Sequence, residues 1–324
     1  MQRRKFVQWF SIAVLSCVGS ALHAQEASKS TVRLIVPFGA GSTPDLVARL
    51  VGERLGVRLS KTIIVENKAG SAGNIGTDAV AKAAPDGQTI GVGTPGPLAV
   101  NALLFKRMPY DPARDIEPVI VAATQPAVLV VSNKLAVSST SELVALLKKS
   151  PGKYSFASIG AGSASHLAMQ TLSARTAADL VHVPYSGSGA AVTAVISGEV
   201  DMALLPAAAV MPQVKAGKIK SLAIASAKRS TLLPGLPTLA ESGLAEVQAD
   251  AWIGFVVPAK TPPEIVKRLH NELVQILSEP ALKEKLQLQY MEPVGGTSED
   301  FKRALAAEVA RWKPVIQAHS ITLD

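Results

Sequence analysis

The sequence predicts an α/β protein of two lobes, each a mainly parallel sheet flanked by helices, with a ligand cleft between the lobes. Two observations support this class. Runs of β-branched residues alternate with apolar stripes of helical spacing along most of the chain, a pattern typical of parallel sheets with crossover helices. The length of 324 residues is also sufficient for two hydrophobic cores.

The first strand–turn–helix unit lies at residues 32–59, and later units of the chain repeat its arrangement. A β-rich run at residues 32–36 precedes a glycine-rich turn in which Gly39 and Gly41 can take positive φ. Thr43 is a suitable N-cap, and Pro44 suits the first position of a helix. Such a unit directs unpaired N–H groups and the positive end of a helix dipole to one point, where an anion can bind.

The remaining elements repeat this alternation. Further strands are predicted at residues 62–66, 88–93, 154–158, 180–183 and 200–204. Residues 119–131 are interpreted as the crossing to a second lobe and residues 252–257 as the return crossing, followed by a helical tail. We therefore expect residues 25–124 with 255–324 to form the first lobe and residues 125–254 the second.

Residues 1–24 have the pattern of a signal peptide. Arg3, Arg4 and Lys5 precede an apolar run that is too short for a stable membrane span, and a cut is expected near Ala24. General secretion and the twin-arginine route are both open. The single cysteine, Cys17, lies in this segment, so the mature chain has no disulfide and no thiol chemistry.

Charge and spacing argue against several other classes. The formal charge is +8, but Lys and Arg are scattered without a dense basic run, so we expect no nucleic-acid binding. Residues 91–96 match the spacing Gly-x-Gly-x-x-Gly. Pro95 and Pro97 remove N–H groups that a pyrophosphate needs, so no dinucleotide is expected. No His-Glu-x-x-His motif is present, and we expect neither a metal nor a cofactor.

Four strand-to-helix turns share one composition. Residues 39–43, 93–97, 160–165 and 186–189 are rich in Gly, Ser or Thr, and none has Lys, Arg or His before its helix begins. If these turns line one cleft, the ligand is held by backbone N–H groups, hydroxyls and helix dipoles. Such a set of neutral donors suits a carboxylate, with bridging water.

Two questions remain open at the level of residues. Asp45 either compensates the dipole of its helix or faces the cleft and contacts the ligand. An exported serine hydrolase using Ser163 or Ser188 with His166 is the alternative function. Against it, the chain has no Gly-x-Ser-x-Gly nucleophile elbow.

Several ordered segments resemble one known family. Residues 36–45 read Val-Pro-Phe-Gly-Ala-Gly-Ser-Thr-Pro-Asp, residues 65–70 Val-Glu-Asn-Lys-Ala-Gly, and residues 182–185 His-Val-Pro-Tyr. With residues 292–297, Glu-Pro-Val-Gly-Gly-Thr, they resemble the receptors of tripartite tricarboxylate transporters, the Bug family. The chain departs from the family pattern at Ser42, where a second glycine is more usual, at Pro44, and at Ser186-Gly187-Ser188.

The resemblance implies a type II-like periplasmic binding protein of a Gram-negative bacterium that captures a small carboxylate for a membrane transporter or sensor. A di- or tricarboxylate, an amino acid and an aromatic acid remain open as ligands. It also implies membrane subunits as partners, no enzymatic activity, and a monomer. The expected ligand-binding residues are Phe38, Gly39, Ala40, Gly41, Ser42, Thr43, Asp45, Thr94, Pro95, Ser158, Gly160, Gly162, Ser163, Tyr185, Ser186 and Gly187.

Overall fold

The computed structural model describes residues 31–323, and the expected signal peptide at residues 1–24 lies outside them. The strands are β1 (Thr31–Val36), β2 (Thr62–Asn67), β3 (Thr89–Gly93), β4 (Ile116–Gln125), β5 (Ala127–Ser132), β6 (Ser155–Ser158), β7 (Val181–Pro184), β8 (Met202–Pro206), β9 (Ile219–Ile224), β10 (Ala251–Pro258) and β11 (Glu292–Gly295). They form a six-stranded sheet of order β11-β4-β10-β3-β1-β2 and a five-stranded sheet of order β7-β6-β8-β5-β9.

Helices flank both sheets. They are α1 (Thr43–Leu59), α2 (Asn74–Ala81), α3 (Asn101–Leu104), α4 (Pro112–Asp115), α5 (Thr140–Lys149), α6 (Ala164–Thr176), α7 (Ser188–Ser197), α8 (Ala207–Lys215), α9 (Pro263–Ser278), α10 (Pro280–Gln287) and α11 (Ser298–Ala318). Within residues 31–323, no helix combines the length and the apolarity needed to cross a bilayer.

The two-lobed α/β class is confirmed, but the sheets are mixed rather than mainly parallel. Strand β1 pairs in parallel with β2 and β3, whereas β10 runs antiparallel to both β3 and β4. In the second sheet β6 pairs in parallel with β7 and β8, while β5 is antiparallel to β8 and β9. The reason is the double crossing, because a strand that leaves a sheet and one that returns to it run in opposite directions.

The crossings occur at short connections. Strand β4 ends at Gln125 and β5 begins at Ala127 in the other sheet, so Pro126 alone joins the two strands. On the return, the Ala249 N–H still donates to the Ala225 carbonyl beside the second sheet, and two residues later β10 begins in the first. Residues 251–254, which the sequence assigned to the second lobe, therefore pair with strands of the first sheet.

Helix α11 contributes buried side chains to the hydrophobic cores of both lobes. Near its start Phe301 packs edge-on against Trp252 of the first sheet, and Gly254 leaves room for it, since a Cβ there would lie 2.5 Å from the Phe301 ring. Near its end Trp312 and Ile316 are buried with side chains of the second sheet. The predicted boundaries place 255–324 in the first lobe, whereas the end of this helix contributes to the second core.

Asp250 occupies the return crossing itself. Its carboxylate accepts a hydrogen bond from the Ser226 hydroxyl. Burial raises the pKa of Asp250 to about 6, and the nearby carboxylates of Glu308 and Glu292 act in the same direction, against the Ser226 hydrogen bond and the positive charge of Arg311. A carboxyl group with a raised pKa favours folding while protonated, and this contribution is lost as pH rises from about 4 to about 6.

We therefore expect Asp250→Asn to be more stable than wild type above pH 6. A shift of this size corresponds to roughly 2–3 kcal/mol at pH 7.5, and the difference should vanish near pH 4. Urea unfolding across this pH range measures it. The exposed Asp86, whose carboxylate accepts from the Gln88 N–H, provides the control, because Asp86→Asn should shift stability by less than about 0.5 kcal/mol. Equal stability of Asp250→Asn and wild type at pH 7.5 would contradict the assignment.

Candidate functional site

The first glycine-rich turn joins β1 to α1 and exposes its backbone. Gly41 has a φ of 79°, which favours glycine, and the Ser42 N–H donates to the Gly39 carbonyl over 3.2 Å. The turn places Ser42, and not Thr43 as predicted, at the N-cap of α1. A Cβ built at Gly39 or Gly41 would meet no atom within 4 Å. The N-terminal end of a 17-residue helix is thus open to a ligand.

Asp45 fixes the shape of this turn. The residue is 3% exposed, and its carboxylate accepts from the Gly41 N–H at 2.9 Å, the Asn67 amide at 2.9 Å and the Arg49 guanidinium at 3.0 Å. Burial acts to raise the pKa of Asp45, but the hydrogen bonds from Arg49, Gly41 and Asn67 together bring it below its usual value. Both oxygens are occupied by protein donors, so of the two roles left open the structure favours the internal one.

The second turn, between β6 and α6, resembles the first at its second glycine but not at its first, since Gly160 has a φ of 121° and Gly39 does not have positive φ. Gly162 has a φ of 74°, and the Ser163 N–H donates to the Gly160 carbonyl over 3.2 Å. Here the Gly162 N–H donates to Nδ1 of His166 at 3.0 Å. Both turns read Gly-Ala-Gly-Ser, at residues 39–42 and 160–163. Sequence reasoning overlooked this repeat, which would have aligned Asp45 with His166 directly.

The geometry around Ser163 does not support the hydrolase alternative. The Ser163 hydroxyl donates to the Gly160 carbonyl at 2.6 Å, and Nδ1 of His166 is already bonded to the Gly162 N–H. A second serine–histidine contact, from Ser158 Oγ to His182 Nε2 at 2.7 Å, involves a serine that is fully buried. These serines anchor the backbone and are not presented to a substrate as nucleophiles.

The third turn, after β3, carries a buried hydroxyl. Thr94 is 8% exposed, and within residues 31–323 its Oγ1 has no hydrogen-bond partner. The same holds for the buried Oγ of Ser42. Pro95 follows Thr94 and is half-buried. Since buried hydroxyls are normally paired, these two groups are candidates to bond a ligand or its water.

A neighbouring loop that the sequence analysis did not include in the site contacts this turn. A Cβ at Gly73 would lie 3.1 Å from the Phe38 ring and 3.2 Å from Pro97, which brings three loops of the first lobe together. Ser71 and Ala72 both have positive φ. The two glycines of residues 70–73 were the feature of the sequence that could have indicated that this loop belongs to the site.

The fourth turn, after β7, lies beside the second. The Tyr185 N–H donates to the Ser158 carbonyl at 3.0 Å, and a Cβ at Gly160 would be 3.9 Å from the Tyr185 carbonyl. The Tyr185 hydroxyl donates to Glu199 at 2.9 Å, so the phenol is engaged within its own lobe. Ser186 is exposed, and a Cβ at Gly187 would meet nothing within 4 Å.

One contact joins the turns of the two lobes. A Cβ at Gly162 would lie 2.6 Å from Leu104, at the end of the helical segment that follows the Thr94 turn. The expected ligand residues lie at the carboxyl ends of β1, β3, β6 and β7 or in the segments that follow these strands. Ligands bind at such strand ends in open α/β sheets. Gly162 itself is covered, whereas Gly39 and Gly41 are open.

Two α/β lobes with open glycine-rich turns at their strand ends define a solute-binding protein. The chain belongs to the tripartite tricarboxylate transporter receptor family, whose family model matches residues 47–321. Protein BugT of Bordetella pertussis is 36% identical over 287 residues, 88% of each chain. This confirms the resemblance seen in the sequence and makes the chain a receptor and not an enzyme.

Solved structures of two bacterial proteins share the fold. Rpa4515 of R. palustris with adipate superimposes with a TM-score of 0.82 at 35% identity, over 90% of this chain and 98% of its own. MatC of Rhodopseudomonas palustris with bound malate gives a TM-score of 0.77 at 29% identity, over 88% of this chain and 98% of its own. The ligands in both are small dicarboxylates.

Replacing Asp45 tests its role in holding the first turn. Asp45→Ala leaves the Gly41 N–H and the Asn67 amide without their shared acceptor, and should lower the free energy of unfolding by roughly 1–3 kcal/mol at pH 7. Asp45→Asn keeps an acceptor for Gly41 and should cost less. Because the pKa of Asp45 is lowered, the contribution is present above about pH 4 and is lost as pH falls further. Urea unfolding of both variants measures this, and an unchanged midpoint for Asp45→Ala would refute it.

Proposed function

We propose that this chain is an exported periplasmic receptor that binds a small organic carboxylate between its lobes. The observation that carries the proposal is the pair of Gly-Ala-Gly-Ser turns, one on each sheet, with the first turn's backbone open. Each turn precedes the N-terminus of a helix of 13 or more residues. Unpaired N–H groups and positive dipole ends on both sides of a cleft stabilise a bound anion.

The rest of the site accords with a carboxylate of modest size. The turns present glycines and hydroxyls, and Arg49, the cation nearest the first turn, is engaged by Asp45. The orphan hydroxyls of Ser42 and Thr94 add two hydrogen-bonding groups on the first lobe. Adipate and malate in the related structures support this class of ligand.

Export and delivery belong to the same proposal. A signal peptide at residues 1–24 directs the chain to the periplasm of a Gram-negative bacterium, where it acts as a monomer. The family is that of tripartite transporter receptors, which supports transfer of the ligand to membrane transporter subunits. A di- or tricarboxylate, an acidic amino acid and an aromatic acid are the candidate ligands.

A thermal-shift screen of residues 25–324 tests the proposal first. The panel contains adipate, malate, citrate, glutamate and nicotinate, applied to protein refolded to remove carried-over ligand. A ligand at 100 times its dissociation constant adds about 2.7 kcal/mol, or several degrees in Tm for a chain of this size. A selective shift supports the receptor and identifies the ligand class. No shift with any acid in ligand-free protein would overturn carboxylate binding.

Thr94→Val and Ser42→Ala test the site itself. Because neither hydroxyl has a partner among the described residues, the substitutions should leave Tm within a few degrees of wild type. Loss of one hydrogen bond to ligand or bridging water should weaken binding by about 5- to 30-fold, measured by calorimetry. Thr140→Val is the matched control, since Thr140 also has a buried, unpartnered hydroxyl but lies at the start of α5. If all three variants bind equally well, the two hydroxyls are not part of the site.

A further inference from the structure

The two Gly-Ala-Gly-Ser turns are held by different chemistry at equivalent positions. In the first, the second glycine's N–H donates to a carboxylate four residues on, Asp45, which pairs with Arg49 another four residues on. In the second, the Gly162 N–H donates to His166, and Gln170 lies four residues beyond it, 3.4 Å from Nε2 of the imidazole. The acceptor in the first turn is thus an ionised carboxylate, and the acceptor in the second turn is an imidazole.

The imidazole of His166 is buried in an aromatic stack. Its ring lies on that of His182, with centroids 3.8 Å apart and planes 13° apart, and Phe156 stacks 5.0 Å from His182. His182 Nε2 contacts the Ser158 hydroxyl at 2.7 Å, and that hydroxyl accepts from the Gly160 N–H at 3.1 Å. The same turn is therefore held at two residues, by His182 through Ser158 at Gly160 and by His166 at Gly162.

The bond from Gly162 requires one protonation state. A backbone N–H can only donate, so Nδ1 of His166 must carry a lone pair, which makes Nε2 the protonated nitrogen of the neutral ring. The amide nitrogen of Gln170 lies 3.4 Å from Nε2, so this tautomer requires the amide to turn its oxygen, and not its nitrogen, toward the ring. An imidazolium has two N–H groups and no acceptor. Protonation of His166 therefore replaces an attractive contact with Gly162 by a repulsive one.

We infer that His166 is a positioning residue for the ligand turn of the second lobe, that it holds Gly162 only as the neutral Nε2–H imidazole, and that acid consequently weakens carboxylate binding through the second lobe. The inference rests on the proposed function in so far as it concerns binding. The first turn is held by a carboxylate paired with Arg49, and its loss on protonation of Asp45 is common to wild type and to variants at His166.

The surroundings of His166 determine where this change occurs. Burial, together with the positive charge of His182 and His319, lowers its pKa to about 4. Burial also lowers the pKa of His182. Among residues 31–323, the titratable groups that act on His166 are these two imidazoles, from β7 and from the end of α11. Phe156 and Gln170 face it as uncharged groups. The bond to Gly162 is therefore intact at neutral pH and is lost near pH 4.

Nuclear magnetic resonance of ¹⁵N-histidine-labelled protein without ligand tests the protonation state alone. The expected result is an unprotonated Nδ1 and a protonated Nε2 on His166 at pH 7, with titration below pH 5. A protonated Nδ1 at pH 7, or titration near the usual pKa of about 6.5, would overturn the inference. This measurement remains decisive if no carboxylate is found to bind, so the two failures are distinguishable.

The dissociation constant as a function of pH tests the consequence, with adipate or malate as the probe. His166→Asn supplies a short, neutral acceptor in place of the imidazole and does not titrate, so it should bind within about 3-fold of wild type at pH 7.5. Between pH 7.5 and about pH 3.3, where most of His166 is protonated, wild type should lose at least about 5-fold more affinity than His166→Asn. Comparing the two cancels the titration of the ligand itself.

Two further variants complete the test. His166→Phe keeps a stacking ring but removes the acceptor, and should weaken binding about 10-fold or more at pH 7.5, with the difference from wild type shrinking as pH falls below 4. His270→Asn changes a partly exposed histidine on α9 whose Nε2 contacts the Gly296 carbonyl, and should keep the wild-type pH profile. Parallel pH profiles for wild type and His166→Asn, or wild-type affinity for His166→Phe, would overturn the inference.

Discussion

Each Gly-Ala-Gly-Ser turn depends on one hydrogen bond, from the N–H of its second glycine to a side chain four residues on. The residue after this glycine, Ser42 or Ser163, is the N-cap of the helix and has extended φ and ψ. The chain therefore reverses direction at the glycine, which has positive φ. An N–H that points inward at such a reversal needs an acceptor. Asp45 and His166 supply it.

The double crossing of the chain decides how these turns face one another. Strands β4 and β10 leave and re-enter the first sheet side by side, and the connections at Pro126 and Asp250 are a residue or two long. Helix α11 spans both cores, with Phe301 in one and Trp312 in the other. The two lobes are therefore joined by short connections and share one helix.

The proposed site relies on backbone groups rather than on charged side chains. A charged side chain in a closing cleft must be desolvated each time the ligand binds, whereas fixed N–H groups at helix ends carry little such cost. The charged residues next to the first turn, Asp45 and Arg49, are paired with each other. In the proposed site, the cleft would distinguish ligands by shape and by the hydroxyls of Ser42 and Thr94, which have no partner among the described residues.

Sequence by itself determined the α/β class, the two crossings, the position of the four turns and the family, because these follow from local periodicity, glycine placement and ordered motifs. It could not determine sheet direction, since parallel and antiparallel strands have similar residue patterns. Nor could it decide whether Asp45 faced the cleft or the protein, or that His166 was stacked on His182. Those outcomes depend on which side chains of distant segments, such as Asn67, reach the same point in space. Only the tertiary structure brings those partners together.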